Sequence, residues 1–179
     1  MKKTLIAAVA LLSVSGSVIA AEGAYVGGNI GYATHDIKAS GNSYDDNDTA
    51  WKLNAGYRFT DLLGVEVFYQ DAGDASYKVD NDDVKSELSN YGAALTGTFD
   101  LTSDVYLTLK AGVAKWKADY KVTGGVSGTD KGTDLYLGLT AGYALNDELN
   151  VVANIDRIEG EEDAEITTYV YGLGVQYNF

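Results

Sequence analysis

The sequence predicts an all-β fold: an eight-stranded, antiparallel, up-and-down transmembrane β-barrel that follows a cleaved signal peptide. Three observations support this prediction. The start of the chain reads as an export signal, eight later segments alternate apolar with small or polar residues, and the connections between them alternate short with long. The chain also contains 21 Gly and 14 Tyr but no Pro and no Cys, which favours tightly packed strands.

Residues 1–20 have the three parts of a secretory signal peptide. Lys2 and Lys3 form a positive start, residues 5–12 are a short apolar core, and small residues lead up to Ala20. The apolar core is too short to cross a membrane as a helix. We therefore predict cleavage after Ala20, with Ala21 as the alternative, and one barrel domain over residues 21–179.

Eight segments place an apolar side chain at every second position, which is the period of a strand with one apolar face. In chain order they are residues 24–32, 51–59, 63–69, 91–99, 105–113, 135–145, 149–155 and 169–179. The apolar face of the fifth segment, for example, consists of Val105, Leu107, Leu109, Ala111 and Val113. None of the eight apolar faces carries a charge.

The connections give the order of the hairpins. Short polar turns at residues 60–61, 100–104 and 146–148 join segment 2 to 3, 4 to 5 and 6 to 7. Long polar stretches over residues 33–50, 71–90, 115–133 and 157–167 join the remaining neighbours, and we expect them to be loops. An even number of strands with short turns at one end and long loops at the other is typical of barrels in the bacterial outer membrane.

The residues on the second face of the segments indicate whether the apolar face meets lipid or the barrel interior. It is rich in Gly, Thr and Asn, and its charged residues are Lys52, Arg58, Glu66, Lys110 and Asp156. A soluble barrel of the lipocalin type would point its apolar face inward and cover its outer face with many more charges. Small and polar side chains crowded at the axis of a narrow barrel explain the pattern better, so we expect the apolar face to meet lipid.

The five inward charges predict a closed barrel interior. We expect two groups, Arg58–Glu66–Lys110 and Lys52–Asp156, joined by Asn54, Asn154, Gln176 and Tyr106. The turn at residues 60–61 places Arg58 diagonal to Glu66, and Lys110 projects inward at a similar height. Because side chains just fill the interior of an eight-stranded barrel, no continuous channel is expected.

Composition excludes several classes of function. A single His and no Cys nearly rule out a zinc site and a Cys nucleophile. A net charge of −13 argues against a nucleic-acid partner. His35, with Ser40 and Ser43 downstream, resembles the His–Ser pair of eight-stranded barrels that modify lipid A, but no strand pattern brings these residues together. We therefore predict no enzyme and no cofactor.

The end of the chain carries a further pattern. Apolar side chains recur on one face at Tyr171, Leu173, Val175, Tyr177 and Phe179. This resembles the C-terminal assembly signal of bacterial outer-membrane proteins, which the barrel assembly machinery reads; physically, it offers an apolar strand edge to another sheet.

With the export signal and the eight segments, the chain is similar to the small barrels typified by the OmpA transmembrane domain, OmpX and Ail. The resemblance implies a monomer in the Gram-negative outer membrane, surrounded by lipopolysaccharide. No counterpart of OmpA's periplasmic domain follows Phe179, so peptidoglycan anchoring is not expected.

The long connections suggest where partners bind. They carry acidic clusters that would hold Ca²⁺ or Mg²⁺ or simply be solvated, such as Asp45, Asp46 and Asp48. The third, with Lys115, Trp116, Lys117, Tyr120 and Lys121, is either a lipopolysaccharide contact or a strand extension beyond the membrane.

These features favour a structural or surface-interaction barrel, acting in envelope integrity, adhesion or contact with host factors. A narrow pore is the alternative, and an enzyme that modifies lipid A is a remote one.

Overall fold

The eight alternating segments form eight strands, and each strand runs further than its apolar segment. In this computed structural model the strands are β1 (Ala24–Ala39), β2 (Asn42–Arg58), β3 (Leu63–Val79), β4 (Asp82–Asp100), β5 (Val105–Val122), β6 (Ser127–Ala144), β7 (Leu149–Glu162) and β8 (Ala164–Asn178). Neighbours in sequence pair antiparallel, and the sheet closes into a barrel. The predicted fold class is confirmed.

The structure describes residues 23–39, 42–79, 82–122, 127–162 and 164–179. Within these ranges it does not describe the side chains of residues 35–39, 42–47, 74–79, 82–88, 118–122, 127, 129–130, 159–162 and 164–166. The predicted signal peptide and its cleavage at Ala20 lie outside the described residues. Within the described ranges, no helix has the length and apolar character needed to span a bilayer.

The stretches expected to be long loops are mostly strand, so that expectation is wrong, while the strand extension given as the alternative for the third stretch is confirmed by β5. The β1–β2 ladder continues without interruption up to Ala39 opposite Asn42, and the β5–β6 ladder up to Lys121 opposite Ser127. Once two strands are paired, the backbone groups beyond the apolar band keep their hydrogen bonds by extending the same ladder. The β3–β4 ladder shifts register between Asp71 and Asp74, where Gly73 has a φ of +83°.

Closure depends on the pairing of β1 with β8, which runs from Tyr25 opposite Asn178 to Ile37 opposite Ile166. The stagger of the barrel follows from the register of all eight pairs. Stepping from one residue to its paired residue on the next strand, beginning at Arg58 on β2, leads once around the barrel. The residues on this path are Arg58, Gly64, Thr96, Lys110, Gly138, Asp156, Val170, Ala33 and Asp48. The path returns to β2 at Asp48, ten residues from Arg58. An offset of ten residues around eight strands corresponds to strands tilted about 40° from the barrel axis.

The apolar face points away from the barrel axis. Leu109, Val113 and Leu95 are 55%, 54% and 67% exposed, whereas the inward residues between them are largely buried. Aromatic side chains stand on this outer face near both ends of the barrel, among them Tyr32 and Tyr91 at the long-hairpin end and Phe59, Phe99 and Tyr143 at the short-turn end. Such aromatic belts are typical of the two interfaces of a membrane.

Inward-facing aromatic rings lie over glycines of the neighbouring strand. Four cross-strand pairs share this arrangement: Tyr25 with Gly56, Phe68 with Gly92, Tyr106 with Gly142, and Trp116 with Gly132. In each pair, a Cβ added to the glycine would come closer than 3 Å to the ring. The glycines therefore provide the space into which these four rings fold.

Arginine at Leu109 tests the lipid-facing assignment. Leu109 lies near the middle of β5, so Leu109→Arg should lower the free energy of unfolding in bilayers by about 2–4 kcal/mol, whereas Val105→Arg, at the membrane edge of the same face, should cost about 0–1 kcal/mol. Chemical denaturation in lipid vesicles measures both. Equal losses would show that depth along β5 does not matter and that this face does not meet the bilayer.

Alanine at Gly142 tests the ring-over-glycine packing. Gly142→Ala should destabilise the barrel by about 1–3 kcal/mol because the added methyl group overpacks against the Tyr106 ring. Gly28→Ala is the matched control, since its added Cβ would lie 3.5 Å from Leu53 in ordinary contact. Adding Tyr106→Leu to Gly142→Ala should recover part of the loss. Equal effects of the two alanines in denaturation experiments would contradict the packing.

Candidate functional site

The four charges at the centre of the barrel form one network. The Lys110 Nζ lies 2.8 Å from both carboxylate oxygens of Glu66. On the opposite side of the lumen, the Lys52 Nζ lies 2.9 Å from Oδ2 of Asp156 and 3.7 Å from Oε1 of Glu66. Lys52 therefore links two ion pairs that the sequence analysis treats as separate groups.

All four charged side chains are removed from water. Glu66 is 1% exposed, Asp156 2%, Lys52 3% and Lys110 6%. Two cations and two anions make the set electrically neutral. Neutrality and close pairing are what allow charges to occupy a poorly solvated interior, where an unpaired one would be costly.

Neutral side chains complete the network, and three of them, Tyr25, Phe68 and Tyr136, are not among the predicted site residues. The Tyr136 hydroxyl accepts a hydrogen bond from Lys52 at 2.7 Å and donates one to Asp156 at 2.6 Å. The Tyr25 hydroxyl donates to Glu66 at 3.1 Å. The Lys52 ammonium also lies 4.8 Å from the centre of the Phe68 ring, within range of a cation–π interaction.

A signal for these residues was present in the sequence. Tyr25 and Tyr136 occupy inward positions of their strands. A phenolic hydroxyl in a narrow interior requires a hydrogen-bond partner, and the inward carboxylates are the strongest acceptors there. The hydroxyls therefore belong with Glu66 and Asp156.

Arg58 is not in the group to which the sequence analysis assigns it. Its Nη2 donates to Oδ1 of Asn178 at 3.3 Å, while the Glu66 carboxylate is held by the two lysines. The cause is the strand tilt. Arg58 is opposite Gly64, and with the tilt Glu66 stands about 8 Å further along the barrel axis. The expected Arg58–Glu66–Lys110 group is thus corrected to Glu66–Lys110, with Arg58 at the short-turn mouth.

The tilt also explains why Lys52 meets Asp156. Counted along the register through β1 and β8, the residue of β7 in line with Lys52 is Val152. Because the strands are tilted, a paired residue three strands away lies at a different height along the barrel axis, by about four residues. The residue of β7 at the height of Lys52 is therefore Asp156. The ion pair therefore depends on the stagger of the whole barrel.

Only some of the polar residues expected to connect the two charge groups contact those charges. The Asn54 Nδ2 donates to Glu66 at 3.0 Å. Asn154 bonds to Asn29 and accepts from Thr140 at 2.6 Å, and Asn29 donates to Asn54 at 3.5 Å. Tyr106 instead accepts from Asn150, and Gln176 donates to Asn178, which also accepts from Arg58, so both lie near Arg58 rather than between the two ion pairs.

The network and the buried residues beyond it occupy much of the described lumen. Towards the long hairpins, Ala33, Ala50, Ala72 and Val170 are buried together, at 0% to 6% exposure. Towards the short turns, a polar cavity lined by Arg58, Thr98, Thr108 and Tyr106 ends at Glu66 and Lys110. The described residues thus form a polar vestibule at one end and a packed plug in the middle.

The other candidates from the sequence have the following positions. Tyr171, Leu173, Val175, Tyr177 and Phe179 lie on the outer face and are 37% to 65% exposed.

His35 is opposite Asp46 in the β1–β2 ladder, and Ser43 is opposite Lys38. The side chains of His35 and Ser43, and the whole of Ser40, lie outside the described part of the chain. Among the described residues, no three His, Cys, Asp or Glu side chains are placed to hold a metal ion.

Removing one partner of a buried pair tests the network. Lys52→Met should lower the free energy of unfolding by about 3–5 kcal/mol, because Asp156 then stays charged without a cation beside it. The double variant Lys52→Met with Asp156→Leu should be more stable than Lys52→Met alone. Denaturation of the wild type and three variants in vesicles completes the double-mutant cycle. Simply additive losses would show that the two residues act independently.

Comparisons with known proteins agree with this fold. Residues 4–179 match the family described as outer membrane protein beta-barrel domain. No curated protein matches the chain. Neisserial surface protein A (NspA) is similar in structure, with a TM-score of 0.64 and 25% identity over 88% of this chain and 98% of that one.

Two further solved structures share the fold. Ail, the attachment invasion locus protein of Yersinia pestis, in complex with the heparin analogue sucrose octasulfate, has a TM-score of 0.62 and 20% identity, over 89% of this chain and 100% of that one. The N-terminal β-barrel domain of Pseudomonas aeruginosa OprF has a TM-score of 0.54 and 18% identity, over 88% and 98%. With its closed eight-stranded barrel and a match over nearly its whole length, the chain belongs to the outer membrane protein beta-barrel domain family.

Proposed function

We propose that this protein is a non-conducting barrel of the outer membrane, with a role in envelope structure or in surface contacts made by its long hairpins. The observation that carries the proposal is the neutral network of Lys52, Glu66, Lys110 and Asp156, which fills the lumen. A transport protein needs a continuous water-filled path, and side chains buried from water interrupt it. The barrel then serves as a platform rather than as a passage.

The hairpins support the surface role. Strands β3 and β4 run to Val79 and Asp82, and β5 and β6 run to Val122 and Ser127, well past the apolar band. Paired strands give each hairpin a stiff base, on which a binding loop is best positioned. The family relative Ail binds a heparin analogue, which is polysulfated. The β1–β2, β3–β4 and β7–β8 hairpins are net acidic and would repel such a ligand, so a partner in adhesion or host-factor contact at these three hairpins should be neutral or cationic.

The proposal includes a route to the membrane. The chain is exported by its signal peptide, cleaved after Ala20, and inserted as a monomer by the barrel assembly machinery, which reads Tyr171, Leu173, Val175, Tyr177 and Phe179. The outward position of these five side chains supports this, because an apolar strand edge is what β-augmentation requires. No catalytic role is proposed.

A narrow pore is the second candidate, and the vestibule on the short-turn side is the observation that favours it. The polar cavity around Arg58 and Thr108 covers part of the length of the lumen. A pore would therefore have to open at the Glu66–Lys110 pair, where the vestibule ends.

Conductance separates the two candidates. Purified protein in planar bilayers should show no stable single-channel openings, because the buried charge network leaves no open, water-filled path through the barrel. Glu66→Gln, which removes the charge of the central carboxylate, tests whether any current passes this point. Asp61→Asn, at an exposed turn, is the matched control. Stable openings whose ion selectivity changes with Glu66→Gln, and not with Asp61→Asn, would overturn the closed barrel and establish the pore.

A further inference from the structure

Two buried side-chain amides lie beyond the charge network, on the side of the long hairpins. Gln70 on β3 is 0% exposed and Asn90 on β4 is 1% exposed. Among the described residues, the Nε2 and Oε1 atoms of Gln70 have no hydrogen-bond partner, and neither has the Nδ2 atom of Asn90. A buried amide in this situation is costly, because it has given up its hydrogen bonds to bulk water and gained none from the protein.

The two amides are direct neighbours. Gln70 lies opposite Asn90 in the β3–β4 ladder, and both side chains point into the lumen. The Cβ atoms of opposed residues in an antiparallel pair are about 4.5–5.5 Å apart, so one small molecule can touch both side chains. Two polar side chains that are this close and make no direct hydrogen bond suit a bridging molecule between them.

The surroundings of the amides offer them no other partner among the described side chains. The inward residues Ala50, Ala72 and Ala114 on the neighbouring strand positions are 0% to 1% exposed, and alanine side chains neither donate nor accept. Lys52 is opposite Gln70, but its ammonium group is held by the charge network. Because alanine side chains are short, they also leave more of the lumen free at this level than aromatic rings would.

The position of the amides in the ladder gives a bridging molecule a structural role. The next pair of the ladder, Asp71 with Ser89, is the last one before the register shifts at Asp74. A register shift interrupts the ladder of backbone hydrogen bonds, so the two strands are held together less firmly there. A molecule bonded to both amides would tie β3 to β4 directly below this interruption.

We propose that Gln70 and Asn90 bind ordered water, which bridges the two amides and fixes the base of the β3–β4 hairpin. Water donates and accepts hydrogen bonds, so it serves the two amide nitrogens and the Oε1 atom alike. These three polar atoms match the about two to four partners that a buried water takes. The inference concerns the interior of the barrel and does not depend on the proposed function.

Water contacts measured by NMR test the proposal directly. In the full barrel folded in micelles, the side-chain NH₂ protons of Gln70 and Asn90 should show cross-peaks to water with the sign of slowly tumbling, bound molecules. Asn54 and Asn154 are internal controls, because their buried NH₂ groups donate to acceptors within the protein. No water cross-peaks at Gln70 and Asn90, or equally strong ones at the controls, would overturn the proposal.

Stability provides a second test, in which the two explanations predict opposite signs. If water satisfies the amides, Gln70→Met and Asn90→Leu should each raise the equilibrium constant of unfolding about two- to tenfold, because each removes hydrogen bonds to the water. The double variant should lose little more than either single variant, since the same water is lost in all three. Gln176→Met, the same change at a half-buried amide near the short turns, should have a smaller effect.

Amides without bound water would give the reverse result, because apolar side chains of similar size would then stabilise the barrel. Chemical denaturation in lipid vesicles measures all four variants against the wild type. A gain in stability in either single variant, or losses that simply add in the double variant, would contradict a shared water. The NMR measurement uses the wild type, so it decides the question even where a variant fails to fold.

Discussion

The requirement that no backbone group be left unpaired in hydrocarbon controls this structure. A flat sheet of eight strands would have two open edges, and β1 and β8 remove both by pairing along nearly their whole apolar length. Closing eight strands with a stagger of ten residues fixes the tilt, and the tilt fixes which inward side chains share a level. The pairing of Lys52 with Asp156, across the lumen, follows from that geometry rather than from any local contact.

The interior shows how a narrow barrel is filled without a conventional apolar core. Ion pairs at Glu66–Lys110 and Lys52–Asp156 occupy its centre, and tyrosine hydroxyls donate further hydrogen bonds to both carboxylates. The bulk comes from aromatic rings that lie over glycines. This gives the charged network rigid walls, because a ring folded onto a backbone has little freedom to move. Charge pairing and ring packing therefore support each other.

Much of this fold could be predicted from residue patterns, because alternation with a period of two is a local property. The number of strands, the order of hairpins and the lipid-facing side chains such as Leu109 and Val113 all followed from it. The extent of the strands did not, since the polar residues up to Ala39 pair only because a partner strand is beside them. Arg58 was assigned to the wrong partner because height in a barrel depends on the stagger summed over all strands, which no single turn reveals.

The pairing of inward aromatic rings with glycines has a consequence for how such a sequence can change over time. Tyr106 needs Gly142, and Trp116 needs Gly132, because any side chain at the glycine would occupy the space of the ring. A mutation at one member is tolerated best after its partner has changed. Across related barrels the two positions should therefore vary together, as a correlated large–small pair between adjacent strands, and such pairs would mark the register of the barrel wall in sequence alone.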